Sequence, residues 1–212
     1  MRTITIKKTL YTFSELSEEA KNQAVSERRQ EIEKDYYIYE DYFKDTVATV
    51  LETWNDTGIE VDVNDVSYSI SYSQGDGVSF VSQGIDIEQA LKFYSKQGDK
   101  QEKVVEKIRK DKNYKYVKEN FEFTIRRIDT MYTHEYTVDC YFTDTTYEYT
   151  DGQWELAERI SKIINQIKND ICEHIYHELL ETDLYINSDE FITELLESED
   201  NEYTSAGIEY YN

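Results

Sequence analysis

Cys172, His174 and His177 fall within six residues and are flanked by Glu173 and Glu178, side chains of the types that ligate zinc. Their spacing works against a site. On a helix, positions 174 and 177 share a face while 172 points elsewhere, and no second Cys or His group completes four ligands. Cys140 and His134 are a candidate nucleophile and base, but no third orienting group or oxyanion donor accompanies them. The stretch Ser73-Gln74-Gly75-Asp76-Gly77 is a candidate loop site, because glycine lets backbone approach a ligand and Asp76 and Gln74 offer oxygens. It lacks the Walker lysine and the ligand series of a calcium loop, and one carboxylate is too few, so it reads as a tight turn. The sequence therefore predicts no catalytic residue, no metal and no cofactor, and the chain reads as something other than an enzyme.

What stands out is charge. Forty-five Asp and Glu oppose 23 Lys and Arg, a net −22, which disfavours bare nucleic acid and anionic membranes as partners and favours a basic one. After Lys168 there is no Lys or Arg, and thirteen Asp or Glu follow. Among these, Glu178, Glu181, Asp183, Asp189, Glu190, Glu194, Glu197, Glu199 and Asp200 are candidate partner-binding residues. A second group lies earlier, at Glu31, Glu33, Asp35, Glu40, Asp41 and Asp45, of which Glu40, Asp41 and Asp45 are taken as partner-binding too. Carboxylates along a helix rising about 1.5 Å per residue can imitate a phosphate ladder, which in duplex DNA carries one charge per roughly 1.7 Å. The plainer reading is a solvated face that keeps a chain with 20 tyrosines soluble. One segment breaks the pattern: residues 92–118 hold ten Lys or Arg and four Asp or Glu, interleaved with Tyr94, Tyr114 and Tyr116. Direct nucleic-acid contact is expected through this segment or not at all. The alternative is that it neutralises acidic surface of its own fold or of a second copy, which leaves a homodimer open.

These residues need elements to position them. Alternation over Thr3–Thr12 predicts a strand, and Ser14 or Ser17 then caps a helix with Glu18 and Glu19 in its first turn. Tyr39, Phe43, Val47, Val50, Leu51 and Trp54 recur at helical spacing and stop near Gly58. Period two from Ile59 to Ile85, with a turn at Gly75-Asp76-Gly77, predicts a hairpin or meander. Asp86 caps a helix, and a Lys-rich helix follows the Gly98-Asp99 break. A second β region spans Phe121–Tyr149, and the apolar stripe from Trp154 to Leu179 marks the longest helix. Ser188 caps a short last helix, and Tyr203–Tyr211 offers a terminal edge strand. The result is an α+β chain, an antiparallel or mixed sheet packed against several helices including one long C-terminal helix. With no proline, seven glycines and no linker composition, residues 1–212 are expected to form a single domain carrying a Lys-rich helical insertion at about 92–118.

Cys140 and Cys172 are expected as reduced thiols, and no apolar run is long enough for a membrane span or a secretion signal. The segments YTFSELSEEAKNQA (11–24), YSQGDGVSF (72–80) and ELLETDLYINSDEFITELLESEDNEYTSAGIEY (178–210) together resemble a family of small bacteriophage proteins of unknown function. Ser73–Phe80 is the most specific part of the likeness, and Lys92–Lys118 has no counterpart in it. The resemblance implies a phage or prophage origin and residence in the cytoplasm of a bacterial host, and it supplies no activity. Combined with the charge, it leads to an expectation: a non-enzymatic inhibitor of a host nucleic-acid-binding defence complex, of anti-CRISPR or anti-restriction type, acting partly by DNA mimicry. The alternatives are an antitoxin-like or regulatory interaction module and a metal-dependent nuclease or phosphoesterase.

Overall fold

A computed structural model describes residues 7–34, 36–71, 73, 75–128 and 131–210. Among them are seven α-helices and two two-stranded antiparallel sheets, an α+β architecture with one long helix near the C-terminus. Where the sequence shows no boundary, the chain packs as two compact units, residues 44–180 and residues 1–43 with 181–212. The divisions fall inside helices α2 (Tyr36–Thr53) and α6 (Asp151–Ile186), so no linker composition marks them.

In the terminal unit, α1 (Glu18–Ile32) starts where the Ser17 hydroxyl accepts from the Ala20 N–H, and Glu18 and Glu19 sit at its positive end. Ala20, Ala24 and Ile32 form its buried side. Helix α7 (Asp189–Ser198) is capped by Ser188, whose side chain accepts from the Phe191 N–H, and it buries Phe191, Ile192 and Leu196. The strand expected over Thr3–Thr12 lies partly outside the described residues. What is seen is a single bridge of Tyr11 with Tyr203, which also bridges Glu209, in place of a terminal strand; Tyr211 is not among the described residues. Gly207, at φ +80°, sits where a Cβ would come 2.0 Å from the Ala20 carbonyl oxygen, so only glycine fits that approach.

In the central unit, β1 (Val66–Ser69) pairs with β2 (Gly77–Phe80), and β3 (Phe121–Arg127) pairs with β4 (Val138–Asp144). A bridge between Ser82 and Ile125 joins the two hairpins. The strand expected through Ile59, Val61 and Val63 reduces to one Ile59–Ile85 bridge and a 3-10 turn at Val63–Asp65. There the Asp62 side chain accepts from the Asn64 N–H and turns the chain before it can pair. Tyr136 likewise lies in a 3-10 turn, Glu135–Thr137, rather than in β4. Helices α3 (Ile87–Ser95), α4 (Asp99–Arg109) and α5 (Tyr114–Asn120) fill the Lys-rich segment, and Asp86 caps α3 as its position predicts.

The core of this unit is α6 against β3 and β4. Ile160, Ile164, Ile167, Ile171, Ile175 and Leu179 recur at three- and four-residue steps and are buried, each contributing about 1.5–3 kcal/mol. Phe142 packs on Trp154 with ring centres 4.7 Å apart. Lys168 is buried and donates from Nζ to the carbonyls of Glu135 and Val138, both at 2.7 Å. Burial pulls that ammonium below the usual lysine range, while nearby Cys172, Asp139 and Glu135 hold it up.

Candidate interaction surface

The residues that suggested chemistry sit in different surroundings. Cys172 is buried, and burial pushes its thiol up to about 12. His174 instead turns Nδ1 toward Trp54, accepting from the indole N–H at 2.8 Å. Exposed His177 lies 3.9 Å from Glu173. Among the described residues no group of three His, Cys, Asp or Glu side chains is arranged to hold a metal ion. Cys140 is buried on β4, its thiol pushed up to about 12 by burial and by Asp139, whereas His134 stacks on Tyr132 and accepts from the Tyr136 N–H. A thiol so disfavoured as thiolate is a poor nucleophile.

Asp76 serves the turn. Its carboxylate accepts from the hydroxyls of Ser69 (2.7 Å), Ser71 (2.9 Å) and Ser73 (3.1 Å) and from the Ser73 N–H (2.7 Å). Burial raises its pKa, but these donors outweigh that and hold the carboxyl far below the usual range. Gly77, at φ +150°, lets His134 lie where a Cβ would come within 2.7 Å of it. Gln74, the other residue of the candidate loop site, lies outside the described residues.

The carboxylates of the terminal unit divide into two sets. Arg28 on α1 donates to Glu199 at 2.5 Å, and both side chains are about one-quarter exposed (23% and 25%). Arg29 pairs with Asp189 and donates to the Asn187 carbonyl at 3.0 Å. Asp189 and Glu199 thus fasten the two ends of α7 to α1. Between them, Glu190, Glu194 and Glu197 are exposed and recur at steps of four and three, one row on the outward side of α7. None has a cation in ion-pair reach among the described residues. Asp200 and Glu181 are exposed as well, and Asp183 accepts from the Asn187 amide at 3.3 Å.

Beside the row is an aromatic group that the sequence reading did not single out. Tyr185 and Tyr42, both partly exposed, pack on Phe191 with ring centres 5.1 and 5.3 Å away, and the Tyr185 hydroxyl donates to Glu194 at 3.1 Å. The signal available was the placement of Phe191 on the inward side of α7. Of the remaining candidates, Glu40 is half-buried and Asp41 exposed in the same unit. Asp45 and Glu178 belong to the central unit, with Glu178 3.7 Å from His174.

Residues 42–189 match a family described as Domain of unknown function (DUF8835). The chain belongs to this family. The DUF8835 match takes in the whole central unit, with the Lys-rich helices, and stops at Asp189, so the row of Glu190, Glu194 and Glu197 lies beyond it. No curated protein and no solved structure matches the chain. No helix of the described residues is long and apolar enough to cross a membrane.

Proposed function

We propose that this chain is a non-catalytic interaction protein that docks its α7 carboxylate row on the basic, nucleic-acid-binding surface of another protein. The observation that carries it is the row itself: Glu190, Glu194 and Glu197 stand outward and uncompensated while their neighbours Asp189 and Glu199 are tied to Arg29 and Arg28. The row rises about 10 Å along the helix axis, in intervals of about 6 and 4.5 Å, against an axial rise of about 3.4 Å per phosphate along one strand of duplex DNA. It is a coarse copy of one phosphate strand, shorter than the ladder expected from the whole tail. Together with the resemblance to small phage proteins, this supports an inhibitor of a host defence complex, of anti-CRISPR or anti-restriction type, working in the bacterial cytoplasm.

A second reading, an antitoxin-like or regulatory module that binds through an apolar or Tyr-rich surface, draws support from Met131, Tyr136 and Tyr147, exposed at 78%, 69% and 84%. Salt and duplex DNA separate the two. Under the mimicry reading, a partner captured from bacterial lysate is released by about 0.5 M salt, where screening falls to about 4 Å, and by excess 20-base-pair duplex. Capture that survives both would discard mimicry in favour of the apolar, Tyr-rich surface.

A further inference from the structure

Helix α4 buries Val105 and Ile108 and turns Lys100, Lys103, Lys107 and Lys110 outward. Most other cations of the 92–118 segment are engaged by the fold: Lys110 by Glu106, Arg109 and Lys118 by Glu88, Lys96 by Asp56 and Lys115 by Glu119. Lys100, Lys103 and Lys107 have no carboxylate in ion-pair reach among the described residues. They follow one another at steps of three and four, the reverse of the four and three of Glu190, Glu194 and Glu197. Each row therefore rises about 10 Å. Laid antiparallel, the two helices bring Lys100 to Glu197, Lys103 to Glu194 and Lys107 to Glu190 in one register. That orientation also sets opposite ends of the two helix dipoles side by side.

We propose that the lysine row of α4 is a docking face for the α7 row of a second copy of this chain. The inference rests on the reading of α7 as an outward contact, and not on what its target is. Lysine-to-phosphate contact with nucleic acid is the other use of such a row. It is disfavoured by the net charge of −22 and by the tyrosines that would have to stack on bases. Tyr114 donates its hydroxyl to Glu88, and the Tyr116 hydroxyl is held by Thr146 and the Glu148 carbonyl. Each copy carries one lysine row and one carboxylate row, so two copies can join through one such contact, or through both where a twofold axis relates them. Exposed ion pairs are individually weak, which makes the association one of low affinity. Its salt dependence has a maximum. At about 0.01 M salt, with a screening length of about 30 Å, whole-molecule repulsion between two anionic copies dominates. Near 0.1 M the length is about 10 Å and the contacts outlast the repulsion, and at 1 M, about 3 Å, the contacts are lost too.

Sedimentation equilibrium of the full chain tests this with two variants, K100E/K103E/K107E and E190K/E194K/E197K, each with circular dichroism matched to the unsubstituted protein. The expected result is a weight-average mass that climbs above 25.3 kDa with concentration near 0.1 M salt and returns to the monomer at 1 M. Each variant alone should stay monomeric, and an equimolar mixture of the two should associate again, because the reversed rows complement each other. A chain that is monomeric at every salt, or a mixture that fails to associate, overturns the proposal. So does binding of a 20-base-pair duplex by the unsubstituted chain and not by K100E/K103E/K107E, which would assign the row to a polyphosphate. The lysine variant leaves α7 intact, so it still captures a lysate partner if the proposed function holds. Failure of self-association is thereby separated from failure of that function.

Discussion

Helix α7 and the Lys-rich segment of α3, α4 and α5 carry opposite charge, yet in both the fold engages part of the charge and leaves the rest in a row. They differ in where the engaged charges find their partners. Asp189 and Glu199 are tied by Arg29 and Arg28, 160 and 171 residues away in sequence. On the basic side, Lys110 and Lys115 pair four residues along their own helices, and Arg109 and Lys118 converge on Glu88, 21 and 30 residues earlier. The acidic row is thus framed by contacts between segments far apart in the sequence, and the basic row by contacts within a helix or between helices that are near in the sequence. Damage to the frame should therefore cost far more stability on the acidic side than on the basic side, and damage to either row should cost almost none.

The largest effect is expected from Arg28→Ala, which leaves the partly buried Glu199 without its cation. A loss of about 2 kcal/mol should appear as roughly 30-fold faster amide exchange in α1 and α7, with β3, β4 and the middle of α6 unaffected. Equal acceleration in both units would break the contrast.

Asp76→Ala removes four hydrogen bonds from one turn and should cost about 1–2 kcal/mol. Because the folded carboxyl titrates below its unfolded value, its contribution is complete above about pH 4 and is lost as pH falls from there. Asp76→Asn should accordingly flatten the stability curve below pH 4 and leave its slope near neutrality alone.

Glu88→Gln should cost about 1 kcal/mol or less, since both members of each ion pair are partly exposed. It has a sharper readout. Tyr114, pushed up to about 12 by burial and then by the Glu88 hydrogen bond, should move back toward 10 in an absorbance titration. The smallest effect belongs to the rows: E190Q/E194Q/E197Q and K100Q/K103Q/K107Q should each stay within about 0.5 kcal/mol of the parent in urea unfolding.

Periodicity made the helices legible. The isoleucine stripe of α6, the Ser17, Asp86 and Ser188 caps and the Gly98-Asp99 break all lie where their local chemistry puts them. The strands were less legible, because Ile59, Val61 and Val63 alternate like a strand and only pairing, which is non-local, decides whether one forms. For the site, charge type could be read directly, but not which charges the fold would take. Nothing in the spacing of Asp189 and Glu190 says that one meets Arg29 and the other meets solvent. The turn at Asp76 could be read from its glycines, but not its hydrogen bonding: the serines at 69, 71 and 73 look like ordinary turn composition until their hydroxyls converge on the carboxylate.

The most direct test of the α7 row as a contact surface compares the unsubstituted chain, E190Q/E194Q/E197Q and E190K/E194K/E197K as immobilised baits in one bacterial lysate at about 0.15 M salt. The account predicts partners on the unsubstituted chain that are displaced by duplex DNA, depleted on the Gln variant and absent on the Lys variant. Equal capture by all three baits would contradict it.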